Sequence, residues 1–353
     1  MGKVRIKVLF FVLSVMVVLI GCSGNSTGSN EYVYELNFNI QSNTTHPFYT
    51  EAIEPWAKFV EEETDGKVKI TVYSSSALGT LDTAYEDIKG GVYDIGYVSP
   101  MTNIDTDLFP LSIGDLPFAF TDSLDVMKVM EKYRDNFLTE MSDQAVWMTI
   151  SSTDAYQIYS NEPIKTIEDL KNKKFRTEGP YNIDLVKHWN SVPVSINYVE
   201  MYEAMEKGTV DLTEYTSIGA LGFKLEEVSK HLTKIDKNVA QLLFLMNGSA
   251  FNNLPEDIQK KFEEVLNPKL GELIGQLYHT QSADSIKTFE EKVKDKGGSV
   301  IIPSEEELKE FKKPSKEIWD KWVEEADKRG YQGQEMMDYF LETSEEEGIS
   351  KPF

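Results

Sequence analysis

The chain has 353 residues, of which 41% are hydrophobic, and its 59 acidic and 36 basic side chains give it a formal charge of −23. So negative a chain argues against a nucleic-acid partner and against attachment to anionic lipid through basic residues. The length and the apolar fraction are sufficient for two lobes of medium size, each with its own core.

The first 21 residues have the pattern of an export signal. Lys3, Arg5 and Lys7 form a basic start, and an almost uninterrupted apolar run follows from 8 to 20. A membrane-spanning helix needs about 20 apolar residues, so this shorter run fits the core of a signal peptide. Its removal would take away three positive charges and no negative ones, and would change the formal charge from −23 to −26.

Cys22 is the only cysteine and follows Leu19-Ile20-Gly21, a sequence that resembles a bacterial lipobox. The resemblance implies cleavage before Cys22 and lipid on its sulfur and new amino group. The polar segment 22–31 is typical of a flexible tether. We therefore expect an exported protein without an internal disulfide, held by its acyl chains on the outer face of the bacterial cytoplasmic membrane.

Strand and helix patterns alternate from 32 to 152. Period-2 alternation predicts strands at 34–40, 68–72 and 93–98, and a strand at 145–151 is expected to lead across a hinge. Helical spacing of apolar residues predicts a helix after each of the first two strands. Strands separated by helices are typical of βαβ units and of a mostly parallel sheet.

The second half of the chain repeats this pattern. A strand is predicted at 157–160, and an apolar run at 242–246 is expected to return the chain to the first lobe. Helical spacing between 270 and 293 predicts a helix of about 35 Å, long enough to bridge two lobes. A C-terminal helix is predicted to follow a capping box formed by Ser304 and Glu307.

These patterns divide the chain that remains after export into two lobes. The first lobe is predicted to hold residues 32–152 and about 243–285. The second is predicted to hold residues 153–242 and about 286–345, including the C-terminal helices.

Arg176 is the central candidate for a binding residue. The run Lys174-Phe175-Arg176, followed by a Gly-Pro turn, predicts a short strand that ends in a loop. Ligands of α/β sheets are commonly held at the carboxyl ends of strands, and a forked guanidinium suits a carboxylate. We therefore predict that Arg176 lies in an interdomain cleft and binds the carboxylate of a small organic acid. The alternative is a surface arginine paired with a nearby acid.

The sequence contains no motif that indicates an enzyme. No zinc-ligand spacing such as H-E-x-x-H, no G-x-S-x-G elbow and no Gly-rich phosphate loop after a strand is present. His46 follows the first predicted strand, so it either belongs to the turn that begins a helix or borders the cleft. We predict a binding protein that requires no cofactor for its activity.

Several blocks of sequence resemble the extracytoplasmic solute-binding proteins of TRAP transporters, the DctP-like family. Gly-Gly-Val-Tyr-Asp-Ile-Gly-Tyr-Val-Ser-Pro at 90–100 and Gly-Asp-Leu-Pro-Phe-Ala-Phe at 114–120 look like the first lobe. The run 160–171 leading into Arg176 is similar to the start of the second lobe, and 202–211 to the step before its second ligand loop. The blocks come in the family's order with similar spacing.

The resemblance implies an α/β, two-lobed periplasmic-binding-protein type II-like fold. Its sheets would be mixed but mostly parallel, with hinge strands and a long bridging helix. It also implies that the protein captures a small organic acid and delivers it to the membrane permease subunits of a TRAP transporter. In this family, the arginine at the position of Arg176 pairs with a substrate carboxylate.

Other site residues follow from position and from this resemblance. Tyr97, Ser99 and Met101 come after the third predicted strand and are candidates for the opposite wall, with plain loop packing as the alternative. Tyr156 and Gln157 stand where members that bind sialic acid carry a further arginine. The absence of that arginine argues against a sialic acid ligand.

Glu214 and Tyr215 stand where many members read Gly-Gln-Glu-Asn-Pro. An aromatic residue after the glutamate resembles the branch that binds 2-oxo or 2-hydroxy acids, in which a glutamine, the glutamate and the ligand jointly hold a cation. Gln157 and Glu214 stand near the matching positions, and oxygen ligands suit Ca²⁺ or Na⁺. The alternative is a strand-end glutamate in solvent. The expected ligand is a 2-oxo or 2-hydroxy acid or another monocarboxylate.

Three other functions remain open at this point. The protein could report its ligand to a membrane kinase, or serve an ABC-type transporter, whose binding proteins share the architecture. An exported hydrolase is the third alternative, against which the missing nucleophile and base argue.

Overall fold

The computed structural model describes residues 34–138, 141–351 and 353. The predicted signal peptide, Cys22 and the tether therefore lie outside the described residues. Within these ranges, no helix combines the length and the apolar character that a bilayer crossing requires. The described residues belong to one compact unit.

Eleven strands are found in the described part of the chain. They are β1 (Tyr34–Asn39), β2 (Val68–Tyr73), β3 (Ile95–Val98), β4 (Ala145–Ser152), β5 (Tyr156–Ser160), β6 (Lys174–Arg176), β7 (Val192–Val194), β8 (Leu212–Thr216), β9 (His231–Thr233), β10 (Gln241–Asn247) and β11 (Ser299–Ile301).

The same part of the chain contains thirteen α-helices. They are α1 (Glu54–Glu63), α2 (Ala84–Gly90), α3 (Ser123–Phe137), α4 (Pro180–His188), α5 (Met201–Glu206), α6 (Ser217–Gly222), α7 (Leu225–Val228), α8 (Gly248–Asn252), α9 (Glu256–Lys261), α10 (Asn267–Lys294), α11 (Glu305–Lys312), α12 (Ser315–Lys328) and α13 (Gly333–Glu346). Shorter 3₁₀ or π-helical turns are Phe48–Ile53, Pro100–Thr102, Phe109–Asp115, Ile167–Leu170, Tyr198–Glu200 and Phe262–Leu266.

The strands form two open sheets, one in each lobe. The first has the order β2-β1-β3-β10-β4 and the second the order β11-β9-β5-β8-β6-β7. In the first sheet, β10 runs antiparallel to both of its neighbours, and in the second sheet β5 does the same. The other described pairs are parallel. The prediction of a two-lobed α/β fold with mixed sheets is confirmed.

The two antiparallel strands are the ones that enter a sheet directly from the other lobe. β4 ends at Ser152 and β5 begins at Tyr156, only a few residues later. The short connection brings the chain into the second sheet at the edge that faces the first sheet. β5 therefore begins where its neighbours β8 and β9 end, and runs antiparallel to both. β10 enters the first sheet in the same manner.

The long helix α10 joins the cores of both lobes. Its first half places Leu270 and Ile274 in the apolar core of the first lobe, and its second half places Phe289 and Val293 in a core around Tyr159. Its 28 residues span about 42 Å at 1.5 Å per residue. The helix is therefore long enough to serve as the predicted bridge.

The C-terminal helix predicted from Ser304 is two helices, because Pro314 lies between α11 and α12. Proline lacks the backbone N–H that an uninterrupted helix needs and clashes with the preceding turn. The capping box of Ser304 and Glu307 is present as predicted. Trp322 of α12 donates a hydrogen bond to Ser112 Oγ at 2.9 Å, which fixes this helix against the first lobe.

Candidate functional site

A cavity of about 450 Å³ lies between the two sheets. Its walls are formed by the ends of β3 and β8 and by loops that follow β1, β2, β6 and β7, together with the first residues of β5 and β10. Ligands of open α/β sheets bind outside the carboxyl ends of the strands. The two antiparallel strands begin where the others end, so they contribute to the same edge.

Aromatic rings form much of the cavity wall. The rings of Tyr198 and Tyr215 are stacked with 6.0 Å between centroids, and the ring of Tyr156 lies 5.8 Å from that of Tyr215. On the side of the first lobe, Phe48 and Tyr97 make an edge-to-face contact at 5.7 Å. Such rings suit the apolar body of a small ligand.

The wall tyrosines stay protonated at physiological pH. Burial raises the pKa of Tyr97 and Tyr215 well above the ordinary value, and it also raises the pKa of Tyr156 and Tyr278. Their hydroxyl groups are therefore neutral and can act as hydrogen-bond donors.

Arg176 is buried, with 1% of its side chain exposed, at the end of β6. Its Nε donates a hydrogen bond to the carbonyl of Ile196 at 2.8 Å, and its Nη2 forms an ion pair with the carboxylate of Glu178. The side chain of Glu178, and not that of Arg176, lines the cavity. Arg176 is therefore not a surface residue, although it does pair with a nearby acid as the alternative supposed.

The sequence prediction is also incomplete for Arg176, since the guanidinium lies one side chain behind the cavity surface. A buried guanidinium without a counterion is costly, and the loop after β6 supplies Glu178 as its partner. Sequence reasoning missed Glu178, although it lies only two residues from Arg176. The signal that could have found it is its position in the same strand-end loop.

Glu214 does not line the cavity and is bound to a lysine. Its Oε2 accepts a hydrogen bond from Lys237 Nζ at 2.5 Å, and its Oε1 accepts one from Thr177 Oγ1 at 2.6 Å. Lys237 is fully buried, and burial lowers its pKa. The ammonium group of Lys237 thus lies beside Glu214, the residue at which the cation is predicted.

Gln157 also points away from the cavity. Its Oε1 accepts hydrogen bonds from the backbone N–H groups of Ile235 and Asp236, at 2.9 and 3.0 Å, and its Nε2 donates to Asp236 Oδ1 at 2.7 Å. These bonds hold the segment that carries Lys237. The side-chain oxygens of Gln157 and Glu214 thus accept hydrogen bonds from protein groups, and neither residue lines the cavity, while the cation site itself stays a prediction. No group of three or more His, Cys, Asp or Glu side chains arranged to hold a metal ion occurs in the described ranges.

His46 lines the cavity and also stands just before the π-helical turn Phe48–Ile53, so both sequence interpretations apply to it. Its Nδ1 accepts a hydrogen bond from the backbone N–H of Phe48 at 3.1 Å. Burial lowers the pKa of His46. Its imidazole is accordingly neutral near pH 7 and adds no positive charge to the cavity.

Ser99 and Met101 line the cavity from the end of β3. The sulfur of Met101 lies 3.2 Å from Nδ2 of Asn182 and packs directly on Gly179, in the loop after β6. Gly179 has a φ of 82°, and any side chain there would collide with Met101. Met101 therefore joins the two walls of the cavity.

Several polar groups on the wall were not predicted. Within the described part of the chain, the buried side-chain amide of Gln41, Oγ of Ser42 and Oε1 of Gln241 have no hydrogen-bond partner. Buried polar groups in proteins are normally paired, so these atoms are available to a ligand or to water. Gln41 and Ser42 follow β1 directly, and the strand-end rule that selected Arg176 would have found them.

The family described as bacterial extracellular solute-binding protein, family 7, matches residues 38–326. A solute-binding protein of Verminephrobacter eiseniae strain EF01-2 is 29% identical over 217 residues, which cover 60% of this chain and 64% of the relative. The 2,3-diketo-L-gulonate-binding periplasmic protein of Escherichia coli K12 is 26% identical over 214 residues, with 59% and 65% covered. The chain thus spans slightly less than two thirds of the length of these relatives.

Solved structures show the same fold. A TRAP solute-binding protein from Rhodoferax ferrireducens T118, in complex with copurified benzoate, superposes with a TM-score of 0.79 at 19% identity. The match covers 88% of this chain and 98% of that one. At this identity, the likeness establishes the two-lobed architecture around the cavity.

Proposed function

The chain belongs to family 7 of the bacterial extracellular solute-binding proteins, and from this we propose that it captures a small organic acid between its lobes for a TRAP-type transporter. The family consists of binding proteins and not of enzymes. The ligand would enter the cavity from outside the cell and be delivered to the membrane permease subunits.

One observation carries this proposal, namely the buried guanidinium of Arg176 at the edge of an aromatic cavity. The hydrogen bond to Ile196 fixes its orientation, and its Nη2 is directed to Glu178 on the cavity wall. A ligand carboxylate that reaches the guanidinium beside Glu178 gains a charge-assisted pair in a site from which water is excluded. The ligands named for two relatives, 2,3-diketo-L-gulonate and benzoate, are carboxylates.

We further propose that the protein acts at the outer face of the cytoplasmic membrane. The lipobox-like sequence before Cys22 supports a lipid anchor, and the polar segment 22–31 would give the lobes freedom to reach a permease. Labelling of the expressed protein with a radioactive fatty acid, compared with a Cys22→Ala variant, tests this anchor. Equal labelling of both proteins would contradict it.

The role of Arg176 is tested on the ligand that copurifies with the protein. The small molecule is released by mild denaturation, identified by mass spectrometry and titrated back by calorimetry. We expect a carboxylate, and we expect Arg176→Ala to lower its affinity at least tenfold because the ion pair is lost.

Two further variants make this test specific. Arg134→Ala removes another partly buried arginine, which pairs with Glu131 and Asp135 away from the cavity, and should keep the affinity. Arg176→Met with Glu178→Gln removes both charges of the buried pair, so that neither is left alone and the fold is kept. Unchanged affinity in this folded double variant would contradict the proposed function.

A further inference from the structure

Two buried ion pairs stand beside the cavity, and neither leaves a positive charge over for a ligand. Arg176 pairs with Glu178, and Lys237 pairs with Glu214. Lowering of the His46 pKa by burial leaves that side chain neutral near pH 7. A plain monocarboxylate would therefore add one negative charge with no positive charge to match it. An unmatched charge is costly where water is excluded.

A further carboxylate stands on the opposite wall. Asp82, just before α2 in the first lobe, lines the cavity. Among the described residues, no hydrogen-bond or ion-pair partner is found for the Asp82 side chain. Burial raises the pKa of Glu178, and the negative charges of Glu214 and Asp82 add to this rise. Glu178 and Asp82 line the cavity from the two lobes, Asp82 with an exposed side chain, so a cationic group between them would have a carboxylate on either side.

The aromatic rings beside these two acids suit a cation. Tyr198 lines the cavity together with Glu178 and Asp82, and the charges of these acids add to the rise in the pKa of Tyr198 that burial causes. Tyr198 stacks on Tyr215, and the ring of Phe223 stands edge-on to both at 5.8 Å. Aromatic faces attract ammonium and related cations.

We infer that the ligand is a zwitterion, whose carboxylate binds Arg176 and whose cationic nitrogen group lies between Glu178 and Asp82 against the ring of Tyr198. This inference rests on the proposed function, since it concerns the same cavity. The cationic group would lie between the two acids, and a zwitterion adds no further negative charge to a wall whose exposed charges are both acidic. The chemical class is that of small amino acids and cyclic imino acids.

Matched pairs of probes test the inference. Each pair consists of a zwitterion and a carboxylate of the same shape in which carbon replaces the cationic nitrogen: proline with cyclopentanecarboxylate, pipecolate with cyclohexanecarboxylate, and glycine betaine with 3,3-dimethylbutanoate. Affinities for the full-length protein are measured by calorimetry. We expect the zwitterion of the best-fitting pair to bind at least tenfold more tightly than its carbon analogue. Equal or tighter binding of the carbon analogues would overturn the inference.

Two substitutions connect the preference to the named acids. Asp82→Asn and Glu178→Gln should each lower the affinity ratio between zwitterion and carbon analogue at least threefold, because the charge that attracts the nitrogen group is lost. A purely structural role would weaken both probes equally and leave the ratio unchanged, which would also overturn the inference. The exposed Asp257 of α9 serves as the control, and Asp257→Asn should keep the ratio.

The outcomes separate this inference from the proposed function. Carboxylates that bind the wild-type protein and are lost in Arg176→Ala support the proposed function whatever the ratio. If they bind without preference for a zwitterion, only the inference fails.

Discussion

Buried ion pairs determine which charged residues near the cavity are able to contact a ligand. Arg176 is held by Ile196 and Glu178, so only a ligand that competes with or joins Glu178 reaches it. Lys237 and Glu214 are almost completely buried and paired at 2.5 Å, and Lys237 Nζ lies 5.6 Å from the ring centroid of the wall residue Tyr156. Neither member of this second pair lines the cavity, and the pair lies behind the ring of Tyr156.

Removal of one member of the second pair should damage the fold more than removal of both. Lys237→Met leaves the carboxylate of Glu214 buried without its counterion, and we expect a loss of about 3–5 kcal/mol in the free energy of unfolding. The double variant Lys237→Met with Glu214→Gln should recover most of that loss. Urea denaturation followed by circular dichroism measures both. A single variant as stable as the wild type would contradict the pairing.

The position of a site residue could be predicted only where the neighbouring sequence determines it. Tyr97 and Ser99 follow from a strand pattern and Tyr215 from the family resemblance, and the structure places all three on the cavity wall. The contacts of Gln157 and Glu214 depend on residues 234–237, a stretch distant in sequence with no pattern of its own. Their orientation could not have been read from the strands that carry them.

At the level of elements, the antiparallel strands β5 and β10 are what bring both sheets to one cavity. Each begins at the edge where its neighbours end, and Gln241 at the start of β10 lines the cavity. The sequence patterns located both strands within one or two residues but could not give their direction. Strands β9 and β11, of three residues each, were not predicted, whereas the equally short β6 was, because a Gly-Pro turn marks its end.

The start of β10 is attached to the first lobe through a buried carboxyl group. Asp115, at the end of the turn Phe109–Asp115, lies 3.3 Å from the backbone nitrogen of Gln241 through its Oδ1. Burial raises its pKa to about 7, although hydrogen bonds from Gln241 and Met101 act against this rise. The unfolded chain would titrate near the ordinary value, about 3.9.

This difference in pKa makes the stability of the protein depend on pH. The folded state holds the proton of Asp115 more tightly, so its contribution to stability is complete below about pH 4 and is lost as the pH rises to about 7. Asp115→Asn cannot ionise. We therefore expect its stability relative to the wild type to be greater at pH 8 than at pH 5.

Urea denaturation at the two pH values measures this effect. Other acids titrate in both proteins, so the comparison isolates Asp115. Asp257→Asn, at an exposed position, should show no such change with pH. An equal difference between Asp115→Asn and the wild type at both pH values would contradict the account of this carboxyl group.

At the level of the whole molecule, two short strand connections and α10 link the two lobes, and the cavity between them is lined by aromatic rings. The alternation of strands and helices and the order of the family blocks were sufficient to predict this architecture. They could not show that Arg176 and Glu214 already have ion-pair partners, because the positions of Glu178 and Lys237 depend on how their loops fold. The packing of the C-terminal helices could not be predicted either, since Trp322 donates its hydrogen bond to Ser112, which is far away in the sequence.

The central claim is that the ligand carboxylate binds Arg176 between the two lobes. A crystal structure of the protein with its copurified ligand tests this most directly. We predict a ligand carboxylate oxygen within about 3 Å of a guanidinium nitrogen of Arg176, with the ligand body against Tyr156, Tyr198 and Tyr215. A ligand whose carboxylate lies elsewhere, while Arg176 keeps Glu178 as its only partner, would contradict the account.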